Sequence, residues 1–206
     1  RKPHDRNAPM ALEAQTLQGQ PDRSLTAEGD VLLQQDSIVL RTDRLRYDQA
    51  TGVVSASGQV RIERQGDRFT GSELQLKIDG FEGYVLDPSY HFALTGAGGQ
   101  AKRIDFIDKA RVALTQADYT SCSRSSTERP AWVLRSNRVQ LNFETSEGVA
   151  EGAVLEFLGV PILGAPVLRF PLNDERKSGW LPPSINIDNK KGLEVAVPYY
   201  WNIAPN

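Results

Sequence analysis

Ala56-Ser57-Gly58-Gln59-Val60 repeats Ala27-Glu28-Gly29-Asp30-Val31 at an offset of 29 residues. The same offset carries Arg44-Leu45-Arg46-Tyr47 onto Glu73-Leu74-Gln75-Leu76. A diverged copy follows as Asn137-Arg138-Val139-Gln140-Leu141, then Glu147-Gly148-Val149-Ala150 and Gly152-Ala153-Val154-Leu155. A period of this size, made of alternating segments with a recurrent glycine, indicates stacked β-units that bury their apolar faces on one another. A small antiparallel sandwich produces a similar weak repeat, so both architectures stand at this point. Outward from the repeat the same period-two pattern recurs. It covers Val60-Arg61-Ile62-Glu63, Leu74-Gln75-Leu76-Lys77-Ile78, Ile104-Asp105-Phe106, Arg111-Val112-Ala113-Leu114-Thr115 and Val139-Gln140-Leu141-Asn142-Phe143. Helical periodicity is nearly absent. The fold class expected is all-β.

Composition narrows the function classes. The 206 residues suit one domain, and 24 basic against 26 acidic residues leave a net charge of -2. That balance argues against a nucleic-acid binder, which concentrates basic residues on one face. No apolar run reaches the ~18 residues of a membrane helix, a test blind to barrel strands. Residues 1–23 are polar and without clear period, and are expected to be a flexible tail. An enzyme reading finds little support. The two histidines are His4 in the tail and His91 near Pro88, and no nucleophile elbow, metal-ligand spacing or phosphate loop occurs. Asp105 and Asp108 read as solvated edges rather than as a paired acid and base, and no cofactor is expected. Cys122, the single cysteine, is either a tolerated thiol or half of a bridge to a cysteine elsewhere.

The end of the chain alternates again. Ser184-Ile185-Asn186-Ile187-Asp188 and Leu193-Glu194-Val195-Ala196-Val197-Pro198-Tyr199 flank the turn Asn189-Lys190-Lys191-Gly192. The parity puts Ile185, Ile187, Leu193, Val195 and Val197 on one face, and Ser184, Asn186, Asp188 and Glu194 on the other. Tyr199-Tyr200-Trp201 suits a membrane–water boundary. A lone hairpin is marginal in water, so partner strands are expected beyond Asn206.

Four motifs carry a family resemblance: Tyr119-Thr120-Ser121-Cys122; Gly159-Val160-Pro161-Ile162 with Pro166 through Pro171; Arg176-Lys177-Ser178-Gly179-Trp180-Leu181-Pro182-Pro183; and Val197 through Asn206. Together with the repeats, these resemble the LptD (OstA/imp) family of outer-membrane lipopolysaccharide translocons over about residues 24–206. The resemblance implies a periplasmic OstA-type β-jelly roll over 24–172. A connector and the first hairpin of a truncated transmembrane β-barrel then cover 173–206. It further implies lipopolysaccharide as ligand, a lipoprotein plug (LptE) inside the barrel, and docking of the periplasmic bridge protein LptA by edge-strand addition. The location implied is the cell outer membrane, with this segment mainly periplasmic. Pro183 and Pro198 correspond to prolines flanking the family's lateral gate; lacking an N–H, proline weakens a ladder where strands must part. Cys122 corresponds to a cysteine bridged to the distal barrel end. A soluble bridge or adaptor domain of the same β-type, without a barrel, is the alternative reading.

Acyl chains crossing water need an apolar trough, and alternating strands line one if the jelly roll is not filled. The candidate lining residues are Val60, Ile62, Phe69, Leu74, Leu76, Ile78, Ile104, Phe106, Val112, Leu114, Val139, Leu141 and Phe143. Each could equally be ordinary core.

Overall fold

The computed structural model describes residues 10–20, 23–36, 38–93, 96–122, 130–172, 179–180, 184–188, 192–196 and 198–200. All regular structure among them is strand. The strands are β1 (Met10–Glu13), β2 (Thr16–Gln20), β3 (Ser24–Gln35), β4 (Ile38–Asp48), β5 (Val53–Arg64), β6 (Asp67–Lys77) and β7 (Glu82–Leu86). They continue as β8 (Ser89–His91), β9 (Gly98–Gln100), β10 (Arg103–Phe106), β11 (Arg111–Tyr119), β12 (Trp132–Asn142), β13 (Glu147–Phe157) and β14 (Val160–Pro171). Short segments β15 (Gly179–Trp180), β16 (Ser184–Asp188), β17 (Gly192–Ala196) and β18 (Tyr199–Tyr200) end the series.

The first fourteen strands form one antiparallel sheet, ordered β1-β3-β4-β5-β6-β7-β10-β11-β12-β13-β14, with β2 on β3 and β8 and β9 branching from β6. Every alternating stretch expected between Val60 and Phe143 lies in it, and Ile78 and Phe143 fall one residue past their strand ends. The expectation of a flexible tail over 1–23 needs correction. Met10–Glu13 pairs with the C-terminal half of β3, and Thr16–Gln20 pairs with its N-terminal half. Leu12 and Ala14 pack against the core. These strands are too short and polar to announce themselves by period; hydrogen bonds from β3 and the burial of Leu12 hold them.

The repeated glycine explains the architecture. Gly29 and Asp30 have φ of 81° and 47°, and Gly58 and Gln59 have φ of 77° and 46°. Two successive left-handed residues cannot continue a strand, and the first of each pair is glycine because a Cβ there is strained. The pairing registers shift at the same places, between Glu28 and Val31, Arg41 and Arg44, and Ser57 and Val60. Each long strand therefore bends in its middle. Residues on both sides of the bend share one core: Ala27 with Val31, Leu45 with Leu40, and Ala56 with Val60. The sheet is thus folded lengthwise along its line of bulges, with its apolar face inside.

Buried hydroxyls pin the bend. Thr42, 4% exposed, places Oγ1 2.9 Å from the Ser57 carbonyl and 3.1 Å from that of Gly58. In the diverged copy Ser136 Oγ donates to the Glu151 carbonyl at 2.7 Å, just before Gly152. One side chain thus satisfies the carbonyls that the bulge frees from the ladder.

The expected terminal hairpin is present in backbone register, with Ile185 opposite Val195 and Ile187 opposite Leu193. A second ladder sets Trp180 opposite Tyr199 and is offset from the first by one residue.

Candidate functional site: an apolar track across the folded sheet

Reading partners from strand to strand shows how the inner face is built. In antiparallel pairs, residues directly opposite share a face. Starting at Leu17, the partners run Ala27, Leu45, Ala56, Leu74, Val85, Ile104, Leu114, Val139, Ala150 and Leu168. The neighbouring row runs Gly19, Leu25, Tyr47, Val54, Leu76, Gly83, Phe106, Val112, Leu141, Gly148 and Phe170. Neither row contains a charged residue. At the usual strand spacing of ~4.8 Å the two rows span about 50 Å.

The rows differ in depth. The first lies next to the fold line and is largely buried, with Ala27 at 0%, Leu74 at 6% and Leu114 at 7% exposure. The second is half-buried along almost its whole length, from Leu25 to Phe170. Beyond it, at the lip, the side chains stand in the open: Ile78 is 49% and Phe143 55% exposed. The opposing arm contributes its own row, Leu12, Leu33, Leu40, Ile62, Phe69 and Tyr90. There Phe69 and Phe92 meet edge to face with centroids 6.0 Å apart. Burial falls steadily from fold line to lip, the profile of a slot rather than of a closed sandwich.

The outer face is ionic. Arg44 reaches Glu28 at 3.0 Å, Arg135 reaches Glu156 at 2.9 Å, and Arg169 reaches Glu147 at 3.0 Å. Tyr84 donates to Glu73 at 2.6 Å, which raises its phenol pKa, while the Arg103 guanidinium lies 4.3 Å from its ring centre. Asp105 and Asp108 join this surface set. Asp105 accepts from Arg103 at 2.6 Å, and Asp108 accepts from the Arg111 side chain and from the Ala110 and Arg111 amides, holding its carboxyl low. Ion pairs on the outer face and uncharged rows on the inner one fix which face can meet an apolar ligand.

The thirteen predicted lining residues therefore divide by depth. Val60, Leu74 and Leu114 are packed core at or beside the fold line. Ile62, Phe69, Leu76, Ile104, Phe106, Val112, Val139 and Leu141 are half-buried slot wall. Ile78 and Phe143 are lip. Sequence reasoning passed over Leu25, Tyr47, Val54, Leu33 and Phe170, which share the parity of neighbours it did select. Tyr119 was also missed: it faces the inner side opposite Leu134, tilts against Trp132 at 6.0 Å, and burial raises its pKa.

Both ends of the slot are open. Leu17 at one end is 56% exposed, and Leu163, opposite Leu155 on the inner face, is 48% exposed at the other. Cys122 is half-buried just past the end of β11, its N–H donating to Thr120 Oγ1 at 3.0 Å. Pro198 is exposed and lies between β17 and β18, whereas Pro183 is outside the described residues. No group of His, Cys, Asp and Glu suited to a metal occurs among the described residues.

No protein-family model matches the chain. Curated relatives do. It is 46% identical over 200 residues to the LPS-assembly protein LptD of Albidiferax ferrireducens, covering 96% of this chain and 25% of that protein. The LptD proteins of Acidovorax sp. and Cupriavidus necator are 44% and 42% identical over 200 residues, covering 96% and 97% of the chain and 24% of each relative. The chain thus spans about a quarter of the length of the relatives it matches. A solved structure of LptH, the LptA-homologous periplasmic component of lipopolysaccharide transport from Pseudomonas aeruginosa, aligns at a TM-score of 0.30 and 16% identity. That alignment covers 68% of this chain and 80% of that one.

Proposed function

We propose that this chain, which belongs to the LptD family of LPS-assembly proteins, carries the acyl chains of lipopolysaccharide through its slot toward the outer membrane. One observation carries the reading: an uncharged, half-buried row runs from one sheet edge to the other, ending at exposed Gly19 on β2 and half-buried Phe170 on β14. A core that only stabilised the fold would gain from closing over that row, at about 25 cal/mol per Å². An acyl chain laid along it removes water from both surfaces, at about 0.8 kcal/mol per buried methylene. Because the row is nearly uniform in depth, movement along it meets no high step. The sugar and phosphate head stays outside the slot, in water.

In the same reading, β1 and β2 form the edge to which a periplasmic bridge protein of LptA type adds a strand. Residues 173–206 lead into an outer-membrane barrel that receives LptE. Pro183 and Pro198 interrupt the first barrel hairpin at its lateral gate. Alanine at both positions is expected to stiffen that seam and reduce lipopolysaccharide export. Unchanged export with unchanged outer-membrane permeability would remove the gate from the reading.

The slot itself is tested by photo-crosslinking in cells. A photoreactive residue at Leu76, Phe106 or Leu141 of the full-length protein is expected to capture lipopolysaccharide, while one at Gln140, exposed on the outer face, captures none. Absence of capture at all three inner positions would return the slot to ordinary core.

A further inference from the structure

The two edges of the sheet differ in their backbone chemistry, and the difference does not depend on what the slot carries. Among the described residues β14 is the last strand of the sheet, hydrogen-bonded on one side only, by β13. A two-residue left-handed turn, Leu158-Gly159 with φ of 49° and 83°, joins them and sets Phe157 opposite Val160. In such a hairpin the closing pair is hydrogen-bonded, so the backbone of Pro161 faces outward. At the other end the Leu172 N–H donates to the Ser146 carbonyl at 3.1 Å, so Pro171 faces outward as well. From Leu163 to Pro171 the pairing keeps one register. The pairing skips Gly152, where the inner face of β13 passes from Ala150 to Ala153 and the alternation resets, so the outward positions are 161 beside the turn and 167, 169 and 171 beyond the bend, and prolines hold both ends. Pro166 sits between, opposite Gly152 with φ of 61°, at the bend of the strand.

An added strand would lose a donor at each end of this ladder and cross a bend in its middle. The opposite edge has no such obstruction. Residues 10–20 contain no proline. The Gln49 N–H donates to the Arg23 carbonyl at 3.0 Å, so Leu25 and Ala27 bond to β4 while Ser24, Thr26 and Glu28 bond to Gln20, Gln18 and Thr16 of β2, which leaves Leu17 and Gly19 facing outward with open ladder positions.

We infer that β14 is a closed edge, and that its prolines prevent a second copy of this chain from adding its own β1–β2 edge there. The apolar side chains of β14 would otherwise invite that contact, since Val160 is 60% and Val167 53% exposed. Edges with unpaired backbone and apolar side chains polymerise unless they are blunted, and proline on the edge is one way to blunt them. The consequence is direction: the sheet can be lengthened from its β1–β2 end only, and copies of the chain cannot string together head to tail.

The test is self-association of the 206-residue chain in detergent, followed by sedimentation over a wide concentration range. The unaltered chain is expected to stay monomeric. Pro161→Thr with Pro171→Thr restores both outward donors and is expected at least to double the average mass. Leu17→Pro in that variant blocks the complementary edge and is expected to return it to monomer. The inference is overturned if the double variant keeps its β-sheet circular dichroism and remains monomeric, or if the unaltered chain associates in a way that Leu17→Pro abolishes. Should the double variant fail to fold, the unaltered chain decides. A photoreactive peptide with the sequence of residues 10–20 is expected to leave β14 unlabelled, and labelling within Val160–Pro171 overturns the inference.

Discussion

Leu76→Asp is expected to abolish lipopolysaccharide capture and export while leaving a folded sheet. Leu76 lies in the middle of the half-buried row, with Val54 opposite on β5 and Gly83 opposite on β7. Because the side chain already keeps part of its contact with water, a carboxylate there stays partly solvated. The cost to folding is about 1–3 kcal/mol, the usual range for an imperfectly satisfied polar group. An acyl chain gliding over the same spot must strip that water or lift away from the wall. Removing a carboxylate from water costs several kcal/mol, and each 1.4 kcal/mol is about a factor of ten, so transfer should fall about a hundredfold or more. Gln75→Asp is the control. Gln75 is the next residue along β6 and is exposed on the ionic face, so the same charge there should change neither quantity. The measurement pairs crosslinking at Leu141 with surface lipopolysaccharide and a protease-resistance check of the fold. Export at the unaltered level from Leu76→Asp would show that acyl chains do not pass this wall.

How far the slot was legible follows from what a period of two encodes. Alternation gives the face of a residue, and it placed Leu74, Leu76, Ile104, Phe106, Leu114 and Leu141 on one side. It does not give depth. Leu74 and Ile78 share a parity in one quoted stretch, yet one is 6% and the other 49% exposed. Depth is set by distance from the fold line, and that line is written elsewhere, in the glycine of each Ala-x-Gly-x-Val. The repeat was readable as stacking, but its role as a crease required the left-handed φ values and the register shifts. The strands within 10–20 were hidden for the opposite reason, since their pairing comes from β3 and not from their own pattern. Contributors of no chemistry were also easy to miss. Ala27, Ala56 and Ala150 matter because they are small enough to let the two arms approach.

Small size matters most at Gly83, and Gly83→Ala is expected to be the most damaging single-methyl change in the slot. Gly83 is not left-handed, so conformational freedom is not its reason. A Cβ built there lies 2.8 Å from both the Gln75 carbonyl carbon and the Leu76 Cα, with the Gln75 carbonyl oxygen closer still. These are backbone atoms of a paired strand and cannot rotate aside. They move only if β6 and β7 separate. Overpacking usually costs about 1–3 kcal/mol when side chains can yield, and the absence of any that can puts this case at or above about 3 kcal/mol. Gly52→Ala supplies the comparison. Gly52 has φ of 67° and no neighbour nearer than Asp79 Oδ2 at 3.7 Å, so its cost is the left-handed penalty of about 1–2 kcal/mol alone. Denaturant unfolding of both variants should rank Gly83→Ala as the weaker protein, and equal midpoints would refute the close-approach argument. The effect should also be spatially selective. In this arm β7 alone joins β6 to β10, so loosening it cuts the half-buried row between Leu76 and Phe106. Lipopolysaccharide fed from the β1–β2 end should then still crosslink at Val54 and be lost at Leu141. Equal capture on both sides of Gly83 would mean that the two halves of the sheet work as separate sites and not as one track.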